Sequence, residues 1–487
     1  MRRLPAALLL AFLSAADAFA RAGGGGGYHG GHHGGGSFGG GGFHSSGGHF
    51  SSSGGGDLSG LLVWFAVRHP FIAFAWIAAI GFYLYFQSGA ASLPIDLPPP
   101  GEQPRLDSEL QSERRAAIEN IRAADPGFDE DCFLKRAAGA FLVIQDAWSR
   151  QDMARARAFI SDGVFERFSR QIAEYKERGV RNRMSGVEVR EASALGYRSG
   201  RHYDAVYVAF AASAVDELVK LGSDEIVSGG PDSFTEVWTF LRRPGTKTLQ
   251  GPGLMEGHCP SCGAPLPIVD SAQCETCKAW VNSGEHDWVL VSITQSGEWA
   301  LPQPDRTADG WAELSASDPG LSLEALEDRA AVAFWRWLDA RRRADSAPLR
   351  GVASTEFFRT LSFEASFERE AAVGAVLTVC CQKGADFDRV HVQVRWEADK
   401  YERREGAEPV FVDRDKRVHF FVFRRRAGAV SDPKKGLRAA RCPSCGAPSD
   451  QADSAACAYC GRAFNDGSVA WVLDDIVPFG LWRRPGG

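Results

Sequence analysis

The chain has no excess of positive charge. Lysine and arginine number 55 against 61 aspartates and glutamates, a formal net charge of −6, so there is no electrostatic case for nucleic-acid binding by the molecule as a whole. It also lacks the cysteine usage of a disulfide scaffold. Of eleven cysteines, eight fall into four Cys-x-x-Cys pairs, and such pairing in a long chain points to metal. The remaining Cys132, Cys380 and Cys381 read as buried free thiols. No nucleophile–base pair and no open metal set marks catalysis, so no enzyme activity is expected. His202, Tyr203 and Asp204 are the nearest thing to a buried acid–base group, but a loop-to-strand junction explains them equally well. At 487 residues the chain has room for two or three domains with cores of their own.

The N-terminal part is organised by hydropathy. Residues 1–20 read as a signal peptide: Arg2 and Arg3 precede an apolar run, and Ala18-Phe19-Ala20 offers a small-x-small cleavage site. Residues 21–57 are almost wholly Gly, Ser, His and Phe. They carry too little apolar surface to offset their ordering entropy, and disorder is expected there. The histidines His29, His32, His33, His44 and His49 read as part of a flexible spacer with loose metal affinity. Residues 58–87 are expected to form a transmembrane helix: Phe71 to Phe86 carries no charge, Pro70 suits a first helical turn, and Arg68 snorkels to an interface. A Pro-rich linker follows at 88–112. A signal followed by a stop-transfer helix, or a hairpin of the two, leaves the C-terminal bulk in the cytoplasm. Arg105, Arg114, Arg115 and Arg122 agree with that side.

Beyond the linker the chain is written twice. Cys259, Cys262, Cys274 and Cys277 recur 183 positions later as Cys442, Cys445, Cys457 and Cys460, and the same offset carries Trp238–Arg243 onto Phe421–Arg426 and Trp288-Val289-Leu290 onto Trp471-Val472-Leu473. Upstream the offset is 193: Asp125-Pro126-Gly127 maps onto Asp318-Pro319-Gly320, Phe141 onto Phe334, Phe165 onto Phe358. Two aligned stretches joined by one length change are a duplication, the second copy being about ten residues shorter in its middle. The units read as 113–296 and 318–480, with a linker at 297–317. In each, a helix (Phe133, Ala137, Phe141, Ile144 and Trp148 on one face; Leu326, Ala330, Phe334 and Trp337 in the second) is followed by another, around 155–175 and 349–368. Strands come next, at 187–191, 203–215 and 234–242, then at 375–380, 389–397 and 418–425. A last strand begins at Trp288 and at Trp471. Helices followed by an antiparallel meander define an α+β unit with helices on one face of a curved sheet.

Between the last two strands of each unit sits a four-cysteine ribbon, at 257–280 and 440–463. A Cys-x-x-Cys turn offers two thiolates from one tight knuckle, and two knuckles close a tetrahedral shell that leaves no position for water. Gly263 and Gly446 follow the second cysteine, where the knuckle needs a permissive backbone. Two structural zinc ions are expected; a four-thiolate shell also accepts iron. His258 adjoins Cys259 but has no counterpart beside Cys442 and is not expected to be a ligand.

The first unit resembles the Tim-forty-four-like domain family through DPGFDEDCFLKRAAGAFLVIQDAWSRQD (125–152), ARAFISDGVFERFSRQI (156–172), FTEVWTF (234–240) and WVLVSI (288–293). The second unit is a weaker match, with Arg341 in place of Trp148. The resemblance implies a cone-like α+β unit akin to nuclear transport factor two, here in tandem after a transmembrane helix, each with a pocket between helices and sheet. It also implies a single-pass protein of a bacterial inner membrane that binds other proteins as an adaptor, in translocation or membrane-protein biogenesis. The alternative is a cone that binds a small molecule or lipid. The basic runs Arg341–Arg343 and Arg424–Arg426, and the group Lys176, Arg178, Arg181 and Arg183, read as solvated faces, and no nucleic-acid partner is expected.

Overall fold

The computed structural model describes residues 103–485, with short breaks at 250, 267–272, 301, 303–306, 434–436, 438–441, 443, 446 and 448–454. The segments read as signal, Gly/His-rich spacer and transmembrane helix lie outside the described residues. Among the described residues no helix is long and apolar enough to cross a membrane.

A helix not foreseen from the sequence, α1 (Gln103–Ala124), begins within the stretch read as linker, and its Ala117 and Ile121 join the first core. The first copy continues with α2 (Glu130–Ser149), α3 (Asp162–Glu177) and the strands β1 (Val180–Ser199), β2 (Asp204–Lys220), β3 (Ile226–Arg242) and β4 (Val289–Gln295). A short α4 (Trp311–Ser317) leads into the second copy: α5 (Leu323–Arg343), α6 (Thr355–Thr360), β5 (Ser366–Gln382), β6 (Phe387–Arg404), β7 (Ala407–Arg426) and β8 (Val472–Pro478). Each copy forms a four-stranded antiparallel meander, β1-β2-β3-β4 and β5-β6-β7-β8. The strands run well beyond the apolar cores that marked them in the sequence.

The duplication extends to irregular backbone. β1 has register shifts at Ser185/Glu188, Val189/Glu191 and Ala194/Gly196, and β5 has them at Arg369/Ala372, Val373/Ala375 and Thr378/Cys380, each 184 positions on. Bulges bend a strand and increase its twist, so the same three kinks curve both sheets around their helices. Helix starts are matched too. Ser161 caps α3 and Ser354 caps α6 through their side chains, while their backbone N–H groups donate to Leu290 and Leu473, at 2.9 and 2.8 Å. Inside each sheet aromatics fill the concavity: Phe141 lies 5.0 Å from Trp238, and the corresponding Phe334 6.0 Å from Phe421.

The second helix of the second copy differs from expectation. Instead of a helix around 349–368, α6 ends at Thr360 and β5 has begun by Ser366. The offset between copies falls from 193 at the capping serines to 184 at the first bulge, so the missing residues are the last turns of this helix. Residues 361–368 place Phe363 and Phe367 on an alternating pattern that suits a strand entry.

One buried arrangement is repeated almost atom for atom. Arg242, the last residue of β3, donates to Asp125 Oδ2 at 2.8 Å, and Thr248 donates to the same carboxylate through its N–H at 2.9 Å and its hydroxyl at 2.5 Å. The guanidinium lies 4.5 Å from the Trp288 ring. In the second copy Arg425 donates to Asp318 Oδ2 at 2.8 Å, Ser431 takes the place of Thr248 at 2.9 and 2.6 Å, and Arg425 lies 4.5 Å from Trp471. Both arginines are 1–2% exposed.

The two copies meet along α3 and α5. Arg336 grips Glu166 through Nε and Nη2 at 2.9 and 3.2 Å, Arg170 reaches Asp339 at 2.8 Å, and the Gly163 N–H donates to Asp328 at 3.0 Å. Glu370 stands at the first bulge of β5, where β1 has Gly186; both take the left-handed backbone, φ 50° and 58°. A glutamate there is strained, and its carboxylate accepts from Tyr175 at 2.7 Å and from Arg178 across the contact.

Two outcomes are expected. Burial disfavours ionisation of Asp125, but hydrogen bonds from Thr248 and Arg242 outweigh it and hold its carboxyl below the usual range. Its contribution to stability is present above about pH 4 and lost as pH falls through the depressed value. Asp125→Ala strands a buried arginine and should cost about 3–5 kcal/mol, most of it recovered when Arg242→Met is added; denaturant titration in which the double variant is no better than the single would contradict this. Asp328 is pushed up to about 7 by burial and then by the nearby Asp162. A raised carboxyl supports stability below its unfolded value and loses that support as pH rises through about 7. Asp328→Asn keeps the acceptor for Gly163 and should gain on the order of 2 kcal/mol at pH 8, measured by thermal unfolding at pH 5 and 8; a loss at pH 8 would count against the assignment.

Candidate metal centres

Each ribbon is built from two knuckles whose turns are closed by the backbone. The Cys259 N–H donates to Ala264 O at 2.8 Å, Cys274 to Ala279 at 2.9 Å, Cys442 to Ala447 at 3.1 Å and Cys457 to Arg462 at 2.9 Å. The residue after the second cysteine is left-handed at Gly263, Lys278 and Gly461, with φ of 73°, 60° and 69°. Glycine suits that position without strain; Lys278 occupies it at a cost the sequence pattern did not advertise.

These turns bring together Cys259, Cys262, Cys274 and Cys277, and separately Cys442, Cys445, Cys457 and Cys460, so that within each set the sulfurs lie within 4.8 Å of one another. Cys259 and Cys277 are 3.6 Å apart and Cys262 and Cys274 3.8 Å; Cys442–Cys460 and Cys445–Cys457 are both 3.7 Å. A tetrahedron of thiolates at the usual zinc–sulfur distance of about 2.3 Å has edges of roughly 3.8 Å, so the sulfur spacing fits a metal and is far too long for disulfides.

The backbone is also arranged for thiolate charge. N–H groups of Ser261 and Cys262 face the Cys259 sulfur, those of Thr276 and Cys277 face Cys274, and those of Ala264 and Ala279 face Cys262 and Cys277. The second ribbon repeats the scheme, with Ser444 and Cys445 on Cys442 and with Tyr459 and Cys460 on Cys457. Hydrogen bonds to the charged form favour it and orient the ligands of a metal. In both ribbons the first and third cysteines are buried and the second and fourth exposed. His258 is half-buried, its Nδ1 3.0 Å from the Glu256 carbonyl, and it stands outside the sulfur set.

The two ribbons are seated differently. In the first, Cys259 and Cys274 belong to the main core with Leu254, Met255 and Val281. Arg136 of α2 clasps both ends of the insertion: it reaches Glu256 at 2.7 and 3.1 Å and Asp287 at 2.7 and 3.3 Å. In the second, Arg329 replaces Arg136 and donates to the Trp471 carbonyl, and in the sequence the 183-residue offset aligns alanines with Glu256 and Asp287. Cys442, Cys457 and Phe464 form a small cluster of their own.

Other residues singled out in the sequence fall elsewhere. Tyr203 packs with Ala205, Tyr207 and Leu437 on the face of the first sheet turned away from its main core. Asp204 accepts from Ser199 at 3.0 Å, and His202 offers its backbone carbonyl to Arg243 at 3.2 Å; the three do not converge on one cavity. The basic runs are engaged with carboxylates: Arg341 with Glu368, Arg342 with Asp339, Arg424 with Asp474, Arg178 with Glu370, Arg183 with Glu217. Of the leftover cysteines, Cys380 and Cys381 are buried, but Cys132 is exposed. It lies in the first turn of α2, where its N–H donates to the capping Asp129 at 2.8 Å, outside the face that buries Phe133.

The family model of the Tim44-like domain matches residues 114–251, so this part of the chain is similar to that domain, with which a membrane-associated, protein-binding role is associated in general. The match stops before the first cysteine of the first ribbon. No curated protein matches the chain. Among solved structures, an Ntf2 like protein involved in plasmid conjugation aligns at 7% identity and a TM-score of 0.14, covering 70% of this chain and 98% of its own. So low a score carries no argument.

If both shells are closed and unequally seated, purified protein should hold two metal ions per chain, and Cys262→Ser or Cys445→Ser should each reduce this to one. A chelator should strip the second shell severalfold faster than the first, because the first is locked into a core. Equal release from the two single-site variants would contradict the difference in seating.

Proposed function

We propose that the chain is a membrane-anchored adaptor that binds other proteins, with two zinc ions serving as structural centres of its ribbons. Zinc is the ion that a closed shell of four thiolates suits best in a site with no redox or substrate role. The observation that carries the reading is the pair of closed sulfur shells mounted at one end of a unit similar to the Tim44-like domain and of its duplicate. A shell with no open position does no chemistry on a substrate, so the ribbons act by holding a surface. That surface includes Tyr459, an aromatic 70% exposed on a knuckle of the second ribbon, and exposed aromatics are common anchors of protein contacts. The loose seating of this ribbon leaves its surface clear of the core.

The membrane-spanning segment at 58–87 and a cytoplasmic position for the ribbons belong to this proposal, as do clients in translocation or membrane-protein biogenesis. A photo-crosslinking amino acid at 459, in the full chain within its membrane, should yield discrete protein adducts that disappear when Cys445→Ser removes the metal. Adducts to lipid alone, or protein adducts indifferent to the metal, would overturn the assignment.

A further inference from the structure

A cavity of about 400 Å³ lies where the copies meet, walled by β2, β3 and β4 of the first copy and by α5 and β5 of the second. Its surface is mostly apolar, with Leu241, Val291, Trp299, Trp335 and Leu377 among its walls. Charged groups interrupt this character, Arg198, Arg395, Glu298, Glu324, Glu327 and Asp328 among them, and of the lining arginines only Arg167 has both Nε and Nη2 without a partner. Arg167 of α3 lines the cavity and is 6% exposed. Its Nη1 donates to the Ile293 carbonyl at 3.1 Å, while Nε and Nη2 have no protein acceptor.

A buried donor without a partner loses its hydration uncompensated, and for a guanidinium the loss is large. The edge concerned is informative. Nε and Nη2 form the side-on fork of a guanidinium, the edge by which Arg336 holds Glu166 (2.9 and 3.2 Å) and Arg341 holds Glu368 (2.9 and 3.0 Å) in this molecule. That fork matches the two oxygens of one carboxylate. The acids of the cavity wall are engaged elsewhere: Glu324 pairs with Arg198, Glu327 accepts the Thr378 N–H at 2.8 Å, and Asp328 accepts that of Gly163 at 3.0 Å through Oδ1, its Oδ2 having no partner. Glu298 lies 3.9 Å from Lys416. Glu236, whose field reaches Arg167, accepts from Trp238 at 3.0 Å and from Gln295 at 3.4 Å.

We propose that this cavity binds a small amphipathic carboxylate, its two oxygens held side-on by Arg167 and its apolar body lodged against Trp299, Trp335 and the aliphatic wall. The size and the mostly apolar lining, with a few charged groups of which one presents an open guanidinium fork, are those of a small-molecule site. Neither copy makes this site alone: the arginine and β4 come from the first, α5 and β5 from the second. It is separate from the ribbons, so its occupancy and the adaptor reading stand or fall independently.

The test is calorimetric titration of the full chain in lipid nanodiscs with 4-phenylbutyrate and with its neutral amide, empty nanodiscs serving as reference. The carboxylate should bind at least about tenfold more tightly than the amide. Arg167→Met should abolish that preference, and Ala331→Phe, which fills the cavity from α5 and leaves the arginine in place, should abolish binding of both. Should Arg167→Met fail to fold by circular dichroism, Arg167→Lys keeps the charge, removes the fork and should still weaken the carboxylate about tenfold. Equal affinity for acid and amide, an unchanged preference in the arginine variant, or no saturable binding of the acid would each overturn the proposal.

Discussion

Arg242 and Arg425 are taken out of water at the ends of the third strand of each sheet, the last residue of β3 and the last but one of β7, and each is compensated in the same way. An aspartate from the turn before α2 or α5 takes the charge, a hydroxyl six residues beyond the arginine shares that carboxylate, and an indole lies against the guanidinium. Removing such a charge from water costs several kcal/mol, which is offset only by good geometry and full hydrogen bonding. The arginine stands where the chain leaves the sheet for the ribbon, and the tryptophan where it returns. One buried cluster thus ties together the helix entry, the end of the third strand and both roots of the insertion. A ribbon whose four sulfurs are placed to hold a metal, with binding worth on the order of 10–16 kcal/mol in small zinc domains, is thereby fixed to its sheet.

From this shared mount the copies have diverged in complementary ways. The first keeps a long second helix and a ribbon clasped by Arg136. The second has lost turns from that helix and the acidic clasp from its ribbon, but its first bulge carries Glu370 where the first copy has a glycine, and that side chain secures α3. A position that merely tolerates a left-handed backbone in one copy has become a contact in the other. The copies are joined by oriented ion pairs, Arg336–Glu166 and Arg170–Asp339 among them, as well as by apolar packing such as the clustering of Leu437 with Tyr203 and Tyr207. Such pairs specify one arrangement more than they add stability.

Much of this was legible in the sequence where periodicity or repetition was strong. The eight ribbon cysteines were found because four short motifs recur at one spacing, and the sulfur geometry follows from it. The first helix of each copy was visible from its aromatic face. Three features were not read. α1 begins beside a proline-rich stretch whose composition masks it. The strand ends are half-exposed, so alternation fades there although hydrogen bonding continues. The lost turns of α6 show only as a change of offset, which does not say which element was shortened. The clamp was present as unexplained matches, Asp125 with Asp318 and Arg242 with Arg425, because burial of an arginine leaves no mark in one dimension. The same holds for Arg167 and the cavity between copies, which depend on how two units pack.

The central claim is that each copy mounts a closed four-thiolate shell. X-ray absorption at the metal edge of the full chain tests it most directly. Four sulfur scatterers at about 2.3 Å, with two ions per chain and no nitrogen or oxygen in the first shell, is the spectrum expected. A light-atom ligand in either shell would mean an open coordination position, and with it a chemical role for ribbons read here as mounts.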